Sequence, residues 1–249
     1  MNRNYSKYFE TEECIHKHAD FIPKNMLAII TGSSGCGKTN LVLNFLLNKD
    51  VLSYNDIYIY CPTLYQPAYK YLETYFTNIE DYIFKKFRIK HKILHLFGSD
   101  EEIVDPSELD RSKCHVMIFD DVMNSNQDKI KDYFCKGRHN NVCVFYLCQS
   151  LFRTQKHSIR DNANVFILFR QDEKTLKYFY DMHVSSDMEF KEFKSLCDES
   201  WNTEKHGFVV INLWEEPYCG KYIQNYEYIY IPTKYKEKIE IELNRNKSN

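Results

Sequence analysis

Eight consecutive residues, Gly32-Ser33-Ser34-Gly35-Cys36-Gly37-Lys38-Thr39, fit the pattern G-x-x-x-x-G-K-[ST] at every fixed position. Glycines let a backbone wrap a polyphosphate with its N–H groups pointing inward. Lys38 brings a point charge to the outer phosphates, and Thr39 brings a hydroxyl for Mg²⁺. The pattern therefore implies a site for a nucleoside triphosphate with Mg²⁺. A second constellation, His115-Val116-Met117-Ile118-Phe119-Asp120-Asp121, is an apolar run that ends on two carboxylates. Asp120 would hold Mg²⁺ directly or through water, and Asp121 would orient or deprotonate an attacking water. A strand that merely ends in an Asp-Asp turn is the plainer alternative. After a complete phosphate loop the metal assignment is preferred, and two adjacent carboxylates point to hydrolysis rather than transfer to a small acceptor. Gln149 closes a third apolar run, Val142–Cys148. An amide at the carboxyl end of a strand beside the loop can sense a γ-phosphate or the attacking water, with a simple strand cap as the alternative.

Elements to position these groups are legible around them. Leu27–Ile30 predicts a strand feeding the loop, and NLVLNFLLNK after Thr39 predicts a helix with Leu41, Val42, Phe45 and Leu46 on one face. Further strands are expected over Asn55–Pro62, His91–Phe97, Val142–Cys148 and Asn164–Phe169, with late ones around Phe208–Leu213 and Tyr222–Ile231. Helices are expected over Tyr65–Phe76 with Tyr82–Phe87 as a continuation, over Gln127–Lys136, and near Glu173–Met182 and Asp187–Ser200. The acidic segment SDEEIVDPSELD should contain a helix broken by Pro106, and a short loop and helix should carry Arg153 and Arg160. The fold class is α/β, with a mainly parallel sheet flanked by helices. The expected organisation is a lead-in over 1–25 along the sheet edge, one domain over 26–232, and a charged tail over 233–249.

Composition narrows the partners less. With 33 basic against 35 acidic side chains in 249 residues, contact with nucleic acid has to come from a local patch rather than from a cationic whole. The run Lys85, Lys86, Arg88, Lys90, Lys92 offers one, although a solvated face is the preferred reading. The 20 Tyr and 17 Phe are not read as base-stacking platforms, because Tyr, Phe, Lys, Asn and Ile share A/T-rich codons. Nine scattered cysteines suggest reduced thiols. Cys14-x-His16-x-His18 lacks the second ligand pair of a structural zinc site. Neither a membrane-length apolar run nor a signal-peptide core is present, so the expectation is a protein that is soluble and not secreted.

The order GSSGCGKT, HVMIFDD, GRHNNVCVFYLCQS and IRDNANVFILFR resembles the FtsK/HerA superfamily. More closely it resembles the viral branch of that superfamily: the genome-packaging ATPases of poxvirus-like large DNA viruses, virophages and Polinton/adintovirus-type elements. The resemblance covers about Met26 to Phe169. It implies a RecA-like (ASCE) P-loop NTPase with the Gln149 strand between the phosphate-loop strand and the Asp120 strand. It also implies a homo-oligomeric ring of six subunits, ATP-driven movement of double-stranded DNA through the pore, and packaging of a viral genome into a capsid. Capsid or portal proteins would be further partners, in the host cytoplasm, a virus factory or the virion. Arg138 falls where the family has an arginine before its fourth core strand, a finger reaching into a neighbour's nucleotide; Arg160 is the second candidate, and Arg170 is expected in an internal salt bridge with sheet-edge acids. The chain departs from relatives outside the viral branch in carrying Asp120-Asp121 where they have Asp-Glu, and in lacking an evident DNA-reading domain. Two other functions stay open, a nucleotide-gated assembly scaffold with little turnover and a P-loop phosphotransferase.

Overall fold

Most of the strands read as near-continuous apolar runs because both faces of their sheet are covered. The computed structural model describes residues 18–48, 50–98, 101–123, 125–151, 157–236 and 239. Its elements run β1 (Leu27–Thr31), α1 (Lys38–Leu47), β2 (Asp56–Tyr60), α2 (Pro67–Phe87), β3 (Leu94–Phe97), β4 (His115–Asp120), α3 (Gln127–Lys136), β5 (Val142–Cys148), α4 (His157–Asn162), β6 (Val165–Phe169), α5 (Glu173–His183), α6 (Phe190–Thr203), β7 (Phe208–Asn212), β8 (Tyr222–Gln224) and β9 (Tyr228–Tyr230). The strands form one sheet in the order β3-β2-β4-β5-β1-β6-β7-β8-β9. Pairings from β3 through β6 are parallel, and those from β6 to β9 are antiparallel. The expected α/β architecture is therefore present, and β5, which leads to Gln149, lies between β1 and β4.

Alternation along each strand divides the core into two layers. Ala28 and Ile30 of β1, Val116 and Ile118 of β4, and Phe145 and Leu147 of β5 pack with Val42, Phe45 and Leu46 of α1 and Tyr69, Leu72 and Phe76 of α2. Leu27, Ile29, Met117, Phe119, Val144 and Tyr146 face the other way, onto Ile130, Tyr133 and Phe134 of α3 and the buried faces of α5 and α6. Parallel strands with helices on both sides place all loop–helix entries at one end, the carboxyl end of β1, β4 and β5, where ligands of open α/β sheets bind.

The helix after β2 runs unbroken over Pro67–Phe87, so Tyr82–Phe87 continues it as expected, the stretch Thr77–Asp81 lying largely on its outer face. Several other expectations change. Pro106 does not break a helix; it opens a single 3-10 turn, Pro106–Glu108, capped by the Asp105 side chain. Tyr222–Ile231 is not one strand but the hairpin β8–β9, reversed at Asn225 and Tyr226, both with positive φ (52° and 61°). Residues 18–25 lie beneath the middle of the sheet rather than along its edge. There His18 Nδ1 accepts from the Ser53 N–H and Nε2 approaches Cys143 Sγ of β5, while Ile22 is buried. Cys36, Cys61, Cys135, Cys143, Cys148, Cys197 and Cys219 are free thiols, but Cys114 is disulfide-bonded, so reduced thiols do not describe every cysteine. Among the described residues no cluster of three or more His, Cys, Asp or Glu side chains is placed to hold a metal ion; Cys14 and His16 lie outside them. No helix of the described residues is long and apolar enough to cross a membrane.

Candidate nucleotide site

The loop between β1 and α1 owes its shape to two glycines with different tasks. At Gly32 any Cβ would sit 2.6 Å from Phe169 Cβ and 2.7 Å from Cys36 Sγ, so the loop passes β6 at a distance that excludes a side chain. Gly37, the N-cap of α1, has φ +113°, a conformation that L residues with a side chain rarely adopt. It turns the chain so that Lys38 opens the helix, whose first N–H groups and dipole favour an anion at this end. Lys38 is buried, and its ammonium donates to the Gly32 carbonyl (2.7 Å) and the Ser33 carbonyl (3.0 Å). His206, from the turn between α6 and β7, closes the outside of the loop with its Nδ1 3.0 Å from the Cys36 carbonyl. Burial raises the Cys36 thiol pKa above its ordinary value, opposed by the Lys38 charge.

Thr39, one residue into α1, donates from Oγ1 to Asp120 Oδ2 at 3.0 Å. The same carboxylate oxygen accepts from the Tyr69 hydroxyl. Asp120 ends β4 and is 9% exposed. Burial raises its pKa above the usual carboxylate range and Asp121 adds to that, while the hydrogen bonds from Tyr69 and Thr39 and the Lys38 charge oppose it. A hydroxyl and a carboxylate in contact form an all-oxygen donor set suited to a hard divalent cation, so these residues fit Mg²⁺. Asp121 turns away from the strand in the left-handed region, φ 55°, which Asp tolerates better than most side chains, and it is exposed at the rim.

Lys38, Thr39, Asp120, Asp121 and Gln149 all line one pocket, with Ser34, Gly35 and Gly37 as its phosphate-loop wall. Ser33 and Cys36 belong to the same loop, and Gly32 forms its base. The pocket also takes Thr63 and Gln66 from the β2–α2 connection and Ala68 from the start of α2, which sequence reasoning missed, as it missed Tyr69 and His206. The first group was discoverable, since it follows the carboxyl end of a parallel strand. Tyr69 and His206 carry no local signal.

Arg160 and Arg170 do not line this pocket, and the backbone places Arg138 at the other end of β5. Arg138 lies in the 3-10 turn Gly137–Asn140, at the amino end of β5. The seven residues of β5 separate it from Gln149 by roughly 20 Å. Arg160 is buried, bonded to the Leu151 carbonyl (3.4 Å) and placed over the Tyr178 ring, which is a poor position for a residue that must reach outward. Arg170 bonds the Trp201 carbonyl and the Asn202 amide and lies over the Trp201 ring. The expected salt bridge with sheet-edge acids is replaced by these neutral partners, because α6 rather than an acidic edge faces the end of β6.

A phosphate loop, a carboxylate pair and a strand-end glutamine, converging on the carboxyl edge of a RecA-like sheet, define a P-loop ATPase. The family model described as Poxvirus A32 protein matches residues 15–211, and the chain belongs to that family. Solved structures with a similar fold include B204, the DNA-packaging ATPase of Sulfolobus turreted icosahedral virus. It is 14% identical, with a TM-score of 0.50, 77% of this chain covered and 93% of that chain. The genome packaging NTPase B204 of Sulfolobus turreted icosahedral virus 2, in complex with AMPPCP, is 10% identical, with a TM-score of 0.49 and coverage of 77% and 94%. No curated protein matches the chain.

Proposed function

We propose that this chain is the ATP-hydrolysing subunit of a motor that drives double-stranded DNA into a viral capsid. The observation that carries the reading is the convergence of Lys38, Thr39, Asp120, Asp121 and Gln149 on one pocket in a member of the Poxvirus A32 protein family. The likeness in fold to a DNA-packaging ATPase supports the choice of substrate. The phosphate loop from Gly32 to Thr39 cradles the triphosphate, and Lys38 exchanges its two loop carbonyls for phosphate oxygens. Thr39 and Asp120 would hold Mg²⁺, which when bound offsets negative charge on the outer phosphates. Asp121 takes the proton of the attacking water or orients it, and Gln149 contacts the γ-phosphate or that water. In this reading the ATPase domain spans 26–232, six copies form the ring, Arg138 serves a neighbour's site, and capsid or portal proteins anchor the ring in the infected cell, in its cytoplasm or virus factory.

Steady-state ATP turnover of the purified chain, with and without linear duplex DNA, tests the reading. Several-fold stimulation by duplex DNA is expected. Turnover indifferent to DNA would sink the motor and leave a nucleotide-gated scaffold, and a phosphorylated small-molecule product would identify a phosphotransferase.

A further inference from the structure

Asp120 Oδ2 is shared by two hydroxyls that come from different helices, Thr39 at the start of α1 and Tyr69 in the first turn of α2. Thr39 belongs to the motif that announces the site, but Tyr69 belongs to none. It is 1% exposed, so its hydroxyl has no solvent to turn to; it donates to the carboxylate, with the Cys61 thiol as its other polar neighbour. The backbone fixes where that hydroxyl sits. Pro67 starts the helix, and the Tyr69 N–H bonds back to the carbonyl of Gln66 at 3.1 Å, itself a pocket residue. A terminal carboxylate torsion is broad and roughly two-fold, and two donors on one oxygen remove that freedom. Once Oδ2 is held, the direction of Oδ1 is set with it.

We infer that Tyr69 is a positioning residue for the metal-binding carboxylate: it holds Asp120 in the orientation in which, with Thr39, it receives a divalent cation alongside the bound triphosphate. The inference rests on the proposed hydrolytic reading of the pocket. Through Tyr69 the long helix α2 is coupled to the metal site as directly as the phosphate loop is, so a displacement of α2 would be felt at Asp120.

The test is Tyr69→Phe in the full chain, which keeps the ring and removes the hydroxyl. Binding of a fluorescent ATP analogue is measured in EDTA and then titrated with Mg²⁺, with melting temperature as a check on folding. Affinity in EDTA should stay within about twofold, while the Mg²⁺ midpoint rises about 10-fold, the scale of losing one hydrogen bond to a charged group. Turnover should recover most of its maximum at saturating Mg²⁺. Asp120→Asn should raise the midpoint by itself, and adding Tyr69→Phe to it should raise it no further, since Tyr69 acts through that carboxylate. A lowered melting temperature with an unchanged midpoint assigns Tyr69 to packing alone and overturns the inference. So does an equal additional shift in the Asp120→Asn background. If Mg²⁺ leaves analogue binding by the unmodified protein unchanged, the parent reading of Thr39 and Asp120 falls first.

Discussion

At the scale of single residues, the site is set by what cannot be added as much as by what is present. The passage of Gly32 past Phe169 leaves no room for a methyl group, and the Phe169 Cβ sits on a buried strand that cannot yield. Gly32→Ala should therefore displace the loop and weaken ATP binding by at least about 10-fold, with a stability loss of about 1–3 kcal/mol from overpacking; calorimetric titration and chemical unfolding check both, and an alanine that binds normally would refute the close approach. Asp121 calls for the opposite expectation. It is exposed at the pocket rim and makes its turn at a φ that Asp accepts, so Asp121→Asn should keep ATP affinity within about threefold while lowering kcat about 100-fold or more, the signature of a group used in the transition state. The motif residues were legible because phosphate binding fixes their order in a single short segment. Tyr69 was not, because it stands 51 residues from Asp120 and meets it only once β4 and α2 share a face.

At the scale of elements, caps and buried pairs explain where sequence and structure coincide. Helix α3 occupies Gln127–Lys136, as its pattern suggested, because the Asn126 side chain accepts from the N–H groups of Asp128 and Lys129 and so fixes its start. The β8–β9 hairpin was hidden because its left-handed turn is made by Asn225 and Tyr226 rather than by a glycine, with Tyr226 held there by contacts to the rings of Phe21, Phe45 and Phe208. The α5–α6 connection is tied to β8 by Asp187, which accepts from both Lys221 and Tyr222 and is 5% exposed. Asp187→Ala strands a largely buried ammonium, so a loss of about 3–5 kcal/mol is expected in urea unfolding; a loss near zero would show that water already reaches the pair.

The end of α5 gives a pH dependence of known sign. His183 lies against the rings of Phe166 and Phe179. Burial lowers its pKa from 6.5 to about 4, the Lys221 charge adds to the shift, and Asp161 opposes it. Between those values the unfolded chain binds a proton that the folded chain refuses. Stability from this group is therefore complete above the unfolded pKa and is lost as pH falls toward the folded one. Moving from pH 7.5 to pH 5 should cost the unmodified protein about 1 kcal/mol more than His183→Phe, less than the shift alone implies because the ring is partly solvated. Parallel losses in the two proteins would remove His183 from the account.

At the scale of the whole molecule, the parallel sheet puts the two ends of β5 to different uses. Gln149 follows its carboxyl end and lines the pocket, while Arg138 precedes its amino end, in the turn Gly137–Asn140. A strand buried along all seven residues keeps the Arg138 backbone far from the pocket of its own chain, which is why the proposed role for Arg138 is at a neighbour's site. Arg160 is no substitute, being buried against Leu151 and Tyr178. This separation makes complementation the decisive measurement. If Arg138 is the finger of a ring, Lys38→Ala subunits keep fingers but cannot engage phosphate, and Arg138→Ala subunits engage phosphate but lack fingers. Each alone should be inactive. In equimolar mixed rings about a quarter of interfaces pair an intact pocket with an intact finger, because a head-to-tail interface takes one surface from each neighbour. Turnover should accordingly return to a substantial fraction of that share after subunit exchange, with sizing chromatography confirming that mixed rings form. Mixed rings without recovered turnover would exclude Arg138 as a finger acting between subunits, and activity retained by Arg138→Ala alone would show that each pocket completes its own chemistry.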